Sequence, residues 1–393
     1  MSAKSNQRGA KAPLLGSKIK LKIEKLAMGG AGVARHEGMV VFVPQAAPNE
    51  EVLAEVTLAK KNFMEARIVE VLTPGPSRRE PPCPVAHTCG GCNWQHLNED
   101  EQRKQKEAIV FETLKKFNRD LEFNYLPIQP SPRVLRYRNR IQPKFKNNRF
   151  GFFARNSHQI VETMDCLITE KTLTEHFAEV KNWAAAKNAK DLLRMEMYIA
   201  EEGDVRYGLI TDEDDGIGFS QVNRFQNEDL LRTALDWAGD HAYEKVFDLY
   251  AGAGNFTFPL AQKYAGSEII GVELNPKLVE RARSKIHDKR MTYFMSDVET
   301  YMRRASIGKE DLVLLDPPRA GASEYTMQTL AAAQPRKIIY ISCHPVSLAR
   351  DLNWFFAHAQ KMGVSYKLDR VQAFEMFPQT DHVETIAELR VDS

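Results

Sequence analysis

The chain has 393 residues, 43% of them hydrophobic and 27% charged, with a formal net charge of +2. This is the composition of an ordinary globular protein, and the length exceeds what one hydrophobic core serves, so two or three domains are expected. No apolar run is long enough to span a bilayer, and the opening stretch MSAKSNQRGAKAPLLGSK has no apolar leader core, so the expectation is a cytoplasmic protein whose thiols stay reduced.

Residues 1–14 are polar, basic and aperiodic, as in a disordered tail. Residues 15–72 alternate apolar and polar positions between glycine turns, in IKLKIEKL, MGGAGVAR, MVVFVP and FMEARIVEVL, and read as a small β-barrel. Pro74, Pro76, Pro81 and Pro82 mark a boundary. Cys83, Cys89 and Cys92 then form C-x5-C-x2-C in CPVAHTCGGC, and Cys166 follows in VETMDCLI. Four thiolates grouped in this way suit either an iron-sulfur cluster or a four-thiolate zinc site, and spacing does not choose between them. Asn98 is placed to cap a helix, with Ile109, Leu114 and Phe117 on its apolar side.

From Arg133 to Arg155 the chain carries eight basic residues, Arg133, Arg136, Arg138, Arg140, Lys144, Lys146, Arg149 and Arg155, and no acidic one. Tyr137, Phe145, Phe150, Phe152 and Phe153 lie among them. Basic groups attract phosphates and aromatic rings stack on unpaired bases, so the segment fits RNA, against the plainer reading of a solvated strand face. A mixed region continues to about Gly218.

Beyond it, apolar runs alternate with helical stretches: KVFDLYAG, EIIGVEL, MTYFMSD, DLVLLDPP and KIIYISC. This alternation predicts a doubly wound, mostly parallel sheet, whose ligands bind beyond the carboxyl ends of the strands. Gly252 and Gly254 allow close backbone approach, Glu273 ends the next strand where a carboxylate accepts from ribose hydroxyls, and Asp297 after the following strand suits an adenine amino group. Thr257 replaces the third glycine of the dinucleotide fingerprint, which favours S-adenosylmethionine over NAD. Asp316 in LLDPPRAG faces the same crevice. Arg319 stands where amine methyltransferases place an aromatic ring, which argues against exocyclic amine methylation. Cys343 ends the last parallel strand with Pro345 opening a helix, a position expected to lend the thiol thiolate character. Glu384 follows a loop, Pro378 to Asp381, before a final strand. Methylating C5 of uracil needs such a set: a thiolate added to C6 makes C5 enolate-like, and a general base later removes the C5 proton.

On these residues the chain resembles the RNA 5-methyluridine (uracil-C5) methyltransferases, specifically the TRAM-domain and [4Fe-4S]-containing branch that modifies 23S ribosomal RNA, over nearly its whole length. The resemblance implies a TRAM (OB-like) RNA-binding domain at 15–72, a central α+β iron-sulfur domain at 73–97 and 126–218, and an α/β Rossmann-like class I methyltransferase domain at 98–125 and 219–393. It implies Cys83, Cys89, Cys92 and Cys166 as [4Fe-4S] ligands, with zinc the alternative. Gln221 in FSQVN, Tyr250, Asn255, Glu273, Asp297 and Asp316 would line the S-adenosylmethionine site, with Cys343 as nucleophile and Glu384 as base. His344 stands where the family often has asparagine. The implied substrate is a single-stranded or looped ribosomal RNA segment with its uridine flipped out, and the implied state is a monomer away from membranes. A transfer RNA T-loop uracil-C5 methyltransferase and a non-catalytic iron-sulfur RNA-binding protein are the alternatives.

Overall fold

The computed structural model describes residues 15–187, 191–210 and 221–391. The basic tail at 1–14, and Phe219 and Ser220 of FSQVN, lie outside the described residues. The chain divides into two compact units, one formed by residues up to His87 with Gly91–Gln105 and Gln379–Asp381, the other by Thr88–Gly90, Lys106–Pro378 and the chain from His382 onward.

The first unit contains β1 (Lys18–Lys22), β2 (Lys25–Leu26), β3 (Gly32–His36), β4 (Met39–Val43), β5 (Glu51–Ala59) and β6 (Phe63–Thr73) in one sheet of order β1-β5-β6-β4-β3-β2. Alternate residues point to one interior, where Leu21, Val43, Val52, Ala54, Val56 and Met64 form a buried cluster. The sheet curls because the link between its two edge strands bonds both ways: Ile23 N donates to Glu50 O at 2.9 Å and Glu24 N to Val33 O at 2.8 Å. Gly30 has φ +84°, and a Cβ there would stand 2.2 Å from Asn93 Nδ2, so the glycine turn admits no side chain. Trp94 Nε1 donates to Gly30 O at 3.0 Å, and Asp381 accepts from Gly29 N and Asn93 Nδ2, both at 2.7 Å.

Helix α1 (Glu99–Phe117) is followed by β7 (Asn124–Gln129). In the second unit β8 (Arg140–Ile141), β9 (Lys144–Lys146), β10 (Arg149–Phe153), β11 (Ile160–Glu162), β12 (Leu193–Ile199) and β13 (Val205–Leu209) form one sheet. It is backed by α2 (Lys171–Thr174) and α3 (Phe177–Ala185), and Phe145, Phe150, Phe177, Val180 and Met195 fill the space between. The basic segment runs through this sheet with much of its charge paired locally, Arg136 with Asp165, Arg140 with Glu196 and Arg149 with Glu162.

The larger sheet of this unit is built from β14 (Lys245–Leu249), β15 (Glu268–Glu273), β16 (Met291–Met295), β17 (Leu312–Leu315), β18 (Lys337–Ser342), β19 (Tyr366–Phe374) and β20 (Glu384–Val391), with β7. Its helices are α4 (Arg224–Ala238), α5 (Thr257–Lys263), α6 (Pro276–Arg283), α7 (Val298–Met302), α8 (Glu324–Ala333) and α9 (Pro345–Lys361). The order is β16-β15-β14-β17-β18-β20-β19-β7, parallel from β16 to β18, with β20 antiparallel to both of its neighbours. β7 pairs in parallel with Arg370–Phe374, so the chain stays in this sheet past residue 125.

Each parallel strand is apolar on both faces because helices cover both. In β17, Val313 and Leu315 join a core with α8 and α9, while Leu312 and Leu314 join another with α4 and α5. Strand order reverses between β14 and β17, and that switch opens a crevice at their carboxyl ends.

Candidate active site

The chain turns sharply as β14 ends. Tyr250 has φ +64°, Gly252 +56° and Gly254 +95°. A tyrosine held there costs about 1–3 kcal/mol, a strain that surrounding packing must sustain. A Cβ at Gly254 would stand 2.3 Å from the Phe258 ring, whereas the space above Gly252 is open. Gly252 N donates to Glu273 Oε2 at 2.9 Å and Asn275 N to Glu273 Oε1 at 2.7 Å. Each carboxylate oxygen thus keeps a lone pair for a ligand while its direction is fixed. Asp297 caps α7 by accepting from Thr300 N at 2.8 Å, a bond that holds its carboxyl below the usual range.

Asn255 exchanges amide hydrogen bonds with Asn227 on α4, at 2.9 and 3.1 Å. Gln221, just ahead of α4, is buried, and its carbonyl accepts from Asn139 Nδ2 at 3.2 Å. The glycine loop and the Gln221 segment are therefore linked through the first turn of α4.

Beneath the loop lies a buried carboxylate absent from the sequence reading. Asp248 Oδ2 accepts from Thr257 Oγ1 at 2.5 Å, and that hydroxyl lies 3.0 Å from the Tyr293 hydroxyl. An acid inside the apolar run VFDL was the available signal.

The next three positions meet through strand pairing. Asp316 N donates to Leu249 O at 3.3 Å, which sets Asp316 beside the end of β14. In the β18–β20 ladder Ser342 faces Thr385, so the next position brings Cys343 opposite Glu384. Glu384 is 2% exposed, and its Oε1 has no hydrogen-bond partner among the described residues. Burial, then the charge of Asp316, raises the Glu384 carboxyl well above the usual range. Burial and Asp248 push Asp316 up to about 7.

The expected thiolate character of Cys343 is corrected here. Burial, then Glu384 and Asp316, push the thiol up to about 12, and the counter-effect of its own backbone hydrogen bond and of Arg319 is smaller. Two carboxylates and desolvation outweigh the start of α9, so the thiol carries its proton at neutral pH.

His344 performs the capping that an asparagine would. Its Nδ1 accepts from Ser347 N at 3.4 Å and lies 2.9 Å from Ser347 Oγ, whose single proton is donated to Arg319 O at 2.9 Å. Burial, and the nearby Arg319, Arg350 and His382, lower its pKa and favour the neutral ring that capping requires. Asp351, also missed in the sequence, accepts from Tyr340 Oη at 2.5 Å and Ala322 N at 2.8 Å, and ties the segment after Asp316 to α9.

The cysteine set is less complete. None of the four forms a disulfide. Among the described residues no three His, Cys, Asp or Glu side chains are grouped to hold a metal ion.

Known proteins match this chain over nearly its whole length. The family profile described as tRNA (Uracil-5-)-methyltransferase matches residues 170–390, and the TRAM domain profile matches residues 14–69. An uncharacterized RNA methyltransferase of Bdellovibrio bacteriovorus is 89% identical over the whole of both chains. The 23S rRNA (uracil(1939)-C(5))-methyltransferase RlmD of Shewanella baltica is 32% identical over 95% of this chain and 96% of its own. The crystal structure of Pyrococcus abyssi tRNA (uracil-54, C5)-methyltransferase in complex with S-adenosyl-L-homocysteine has the same fold, with a TM-score of 0.72 and 24% identity over 94% of this chain and 100% of that one. The glycine loop, the strand-end acids and the paired Cys343 and Glu384 thus stand in a chain that belongs to the RNA (uracil-5-)-methyltransferase family and carries a TRAM domain.

Proposed function

We propose that this protein methylates C5 of a uridine in 23S ribosomal RNA, with S-adenosylmethionine as donor and a covalent adduct between Cys343 and C6. The observation that carries the reading is the register that sets Cys343 opposite Glu384, beside Asp316. The open space above Gly252, the fixed lone pairs of Glu273 and the capped Asp297 fit an adenosyl ligand, with Tyr250, Asn255, Gln221 and Asp316 around it. Bound S-adenosylmethionine would supply an electrophilic methyl on a cationic sulfonium, and its positive charge would favour thiolate Cys343 and ionised Glu384.

Cys343 Sγ gives up its proton to an acceptor in the crevice and adds to C6, placing electron density on C5. Once C5 carries the methyl group, ionised Glu384 takes the C5 proton and the thiolate leaves, which restores the aromatic ring. Burial makes Glu384 a stronger base than an exposed glutamate, matched to a carbon acid. Ring opposition on two faces requires a uridine turned out of its stack, hence a single-stranded or looped segment. The protein acts as a monomer in the cytoplasm in this reading. In the same reading Cys83, Cys89, Cys92 and Cys166 are the ligands of a [4Fe-4S] cluster, with zinc the alternative; it rests on the C-x5-C-x2-C spacing alone, since the described side chains are not grouped for a metal as they stand.

Incubating variants with ribosomal RNA and donor tests the chemistry. Glu384→Gln should accumulate a protein–RNA adduct stable in a denaturing gel, and Cys343→Ala should form neither adduct nor product while binding donor as wild type does. Product formation by Cys343→Ala rejects the mechanism. Mass-spectrometric mapping of methyluridine in a deletion strain tests the substrate, and loss confined to transfer RNA assigns the enzyme there instead.

A further inference from the structure

A cleft of about 620 Å³ opens in the second unit, lined by five cations, Arg140, Arg206, Arg224, Arg281 and Lys285, and two carboxylates, Glu201 and Glu202. Its walls lead to the candidate active site. Asn139 in the lining donates to Gln221 O, and α6, which bears Arg281, starts three residues after Glu273.

Buried carboxylates brace two of the cations. Arg140 Nε donates to Glu196 at 2.6 Å and Arg224 Nη2 to Glu170 at 2.6 Å. These acids offset part of the charge and hold the guanidiniums in place. Glu201, exposed at the tip of the β12–β13 hairpin, is held by Arg281 Nη2 at 2.7 Å and by Lys285 Nζ at 2.7 and 2.9 Å. A carboxylate gripped by an arginine and a lysine makes the contacts that a phosphodiester would make there. Ion pairs this exposed are weak and screened, so an arriving polyanion displaces Glu201 at small cost. The half-buried ring of Tyr198 in the same lining suits stacking on a base.

We propose that this cleft receives the phosphate backbone of the RNA segment leading to the target nucleotide, and that Glu201 occupies a phosphate position on Arg281 and Lys285 until RNA displaces it. The proposal rests on RNA being the substrate. Charge and chemistry favour RNA over an acidic peptide, because the cleft offers arginine forks beside an aromatic ring.

Fluorescence anisotropy with a labelled single-stranded ribosomal RNA oligonucleotide, titrated at several salt concentrations, tests it. The double variant Arg281→Gln, Lys285→Gln should bind on the order of tenfold more weakly at low salt, with the slope of log affinity against log salt shallower by about 0.7, the share of one phosphate. Glu201→Gln should bind a few-fold more tightly. Calorimetric binding of S-adenosylmethionine and the thermal melting midpoint should match wild type in both variants, which separates a lost contact from a lost fold. Unchanged affinity and slope in the double variant, or no gain from Glu201→Gln, overturns the proposal while wild-type methylation continues. If wild type neither binds nor methylates RNA, the proposed function itself fails.

Discussion

Asp248 breaks the apolar run of β14 and is 1% exposed. Burial dominates its environment and, with the charge of Glu273, pushes its carboxyl up to about 7 despite the hydrogen bond from Thr257. An aspartate in the unfolded chain titrates near 3.9. Between these values the folded state holds the additional proton, so stability is greatest below the unfolded pKa and declines as pH rises toward 7. The decline from this one group is at most about 4 kcal/mol. Asp248→Asn removes the ionisation, and urea unfolding from pH 4 to 7 should show a flatter dependence than wild type. Parallel curves for the two proteins would show that the carboxylate is not buried in an apolar setting.

At the scale of elements, the segment from Asp316 to Ala322 is held against α9 by side chains rather than by a sheet ladder. Asp351 accepts from Ala322 N and Tyr340 Oη, Arg350 Nη2 donates to Ala320 O at 2.6 Å, and Ser347 Oγ donates to Arg319 O. Gly321 makes this approach possible: its φ is +84°, and a Cβ would stand 2.4 Å from Asp351 Oδ2 and 2.6 Å from Arg350 Nη2. Gly321→Ala must adopt a strained backbone and separate these groups, at a cost of about 2–4 kcal/mol. The expected result is a lower melting temperature together with reduced turnover, because Asp316 and Arg319 belong to the displaced segment. A variant that melts and turns over like wild type would mean that the segment repacks without loss.

At the scale of the whole molecule, Cys83 and Cys92 fall in the unit that contains the barrel-like sheet, and Cys89 and Cys166 in the unit that contains the larger one. A [4Fe-4S] cluster on these four residues has a direct spectroscopic signature. Protein purified without oxygen should then show visible absorbance that Cys83→Ser diminishes. Colourless protein with one equivalent of zinc would assign the four-thiolate site, and absence of both metals would leave the cysteines as structural thiols.

The apolar runs by themselves determined the alternating α/β order and the strand ends, because a parallel strand covered on both faces must be apolar throughout, as LVLL is in β17. The glycine loop, the strand-end position of Cys343 and the cysteine spacing were legible for the same reason: each is local in the chain. Pairing partners are not. Only the tertiary structure inserts β20 antiparallel beside β18, so that residues 343 and 384 face each other, and only it gathers Asp316 and Glu384 around the thiol. The sequence position of Cys343 pointed to a helix start and a lowered pKa, whereas its neighbours in space raise it. Periodicity records which residues leave water, but ionisation depends on which charges meet after they have left it.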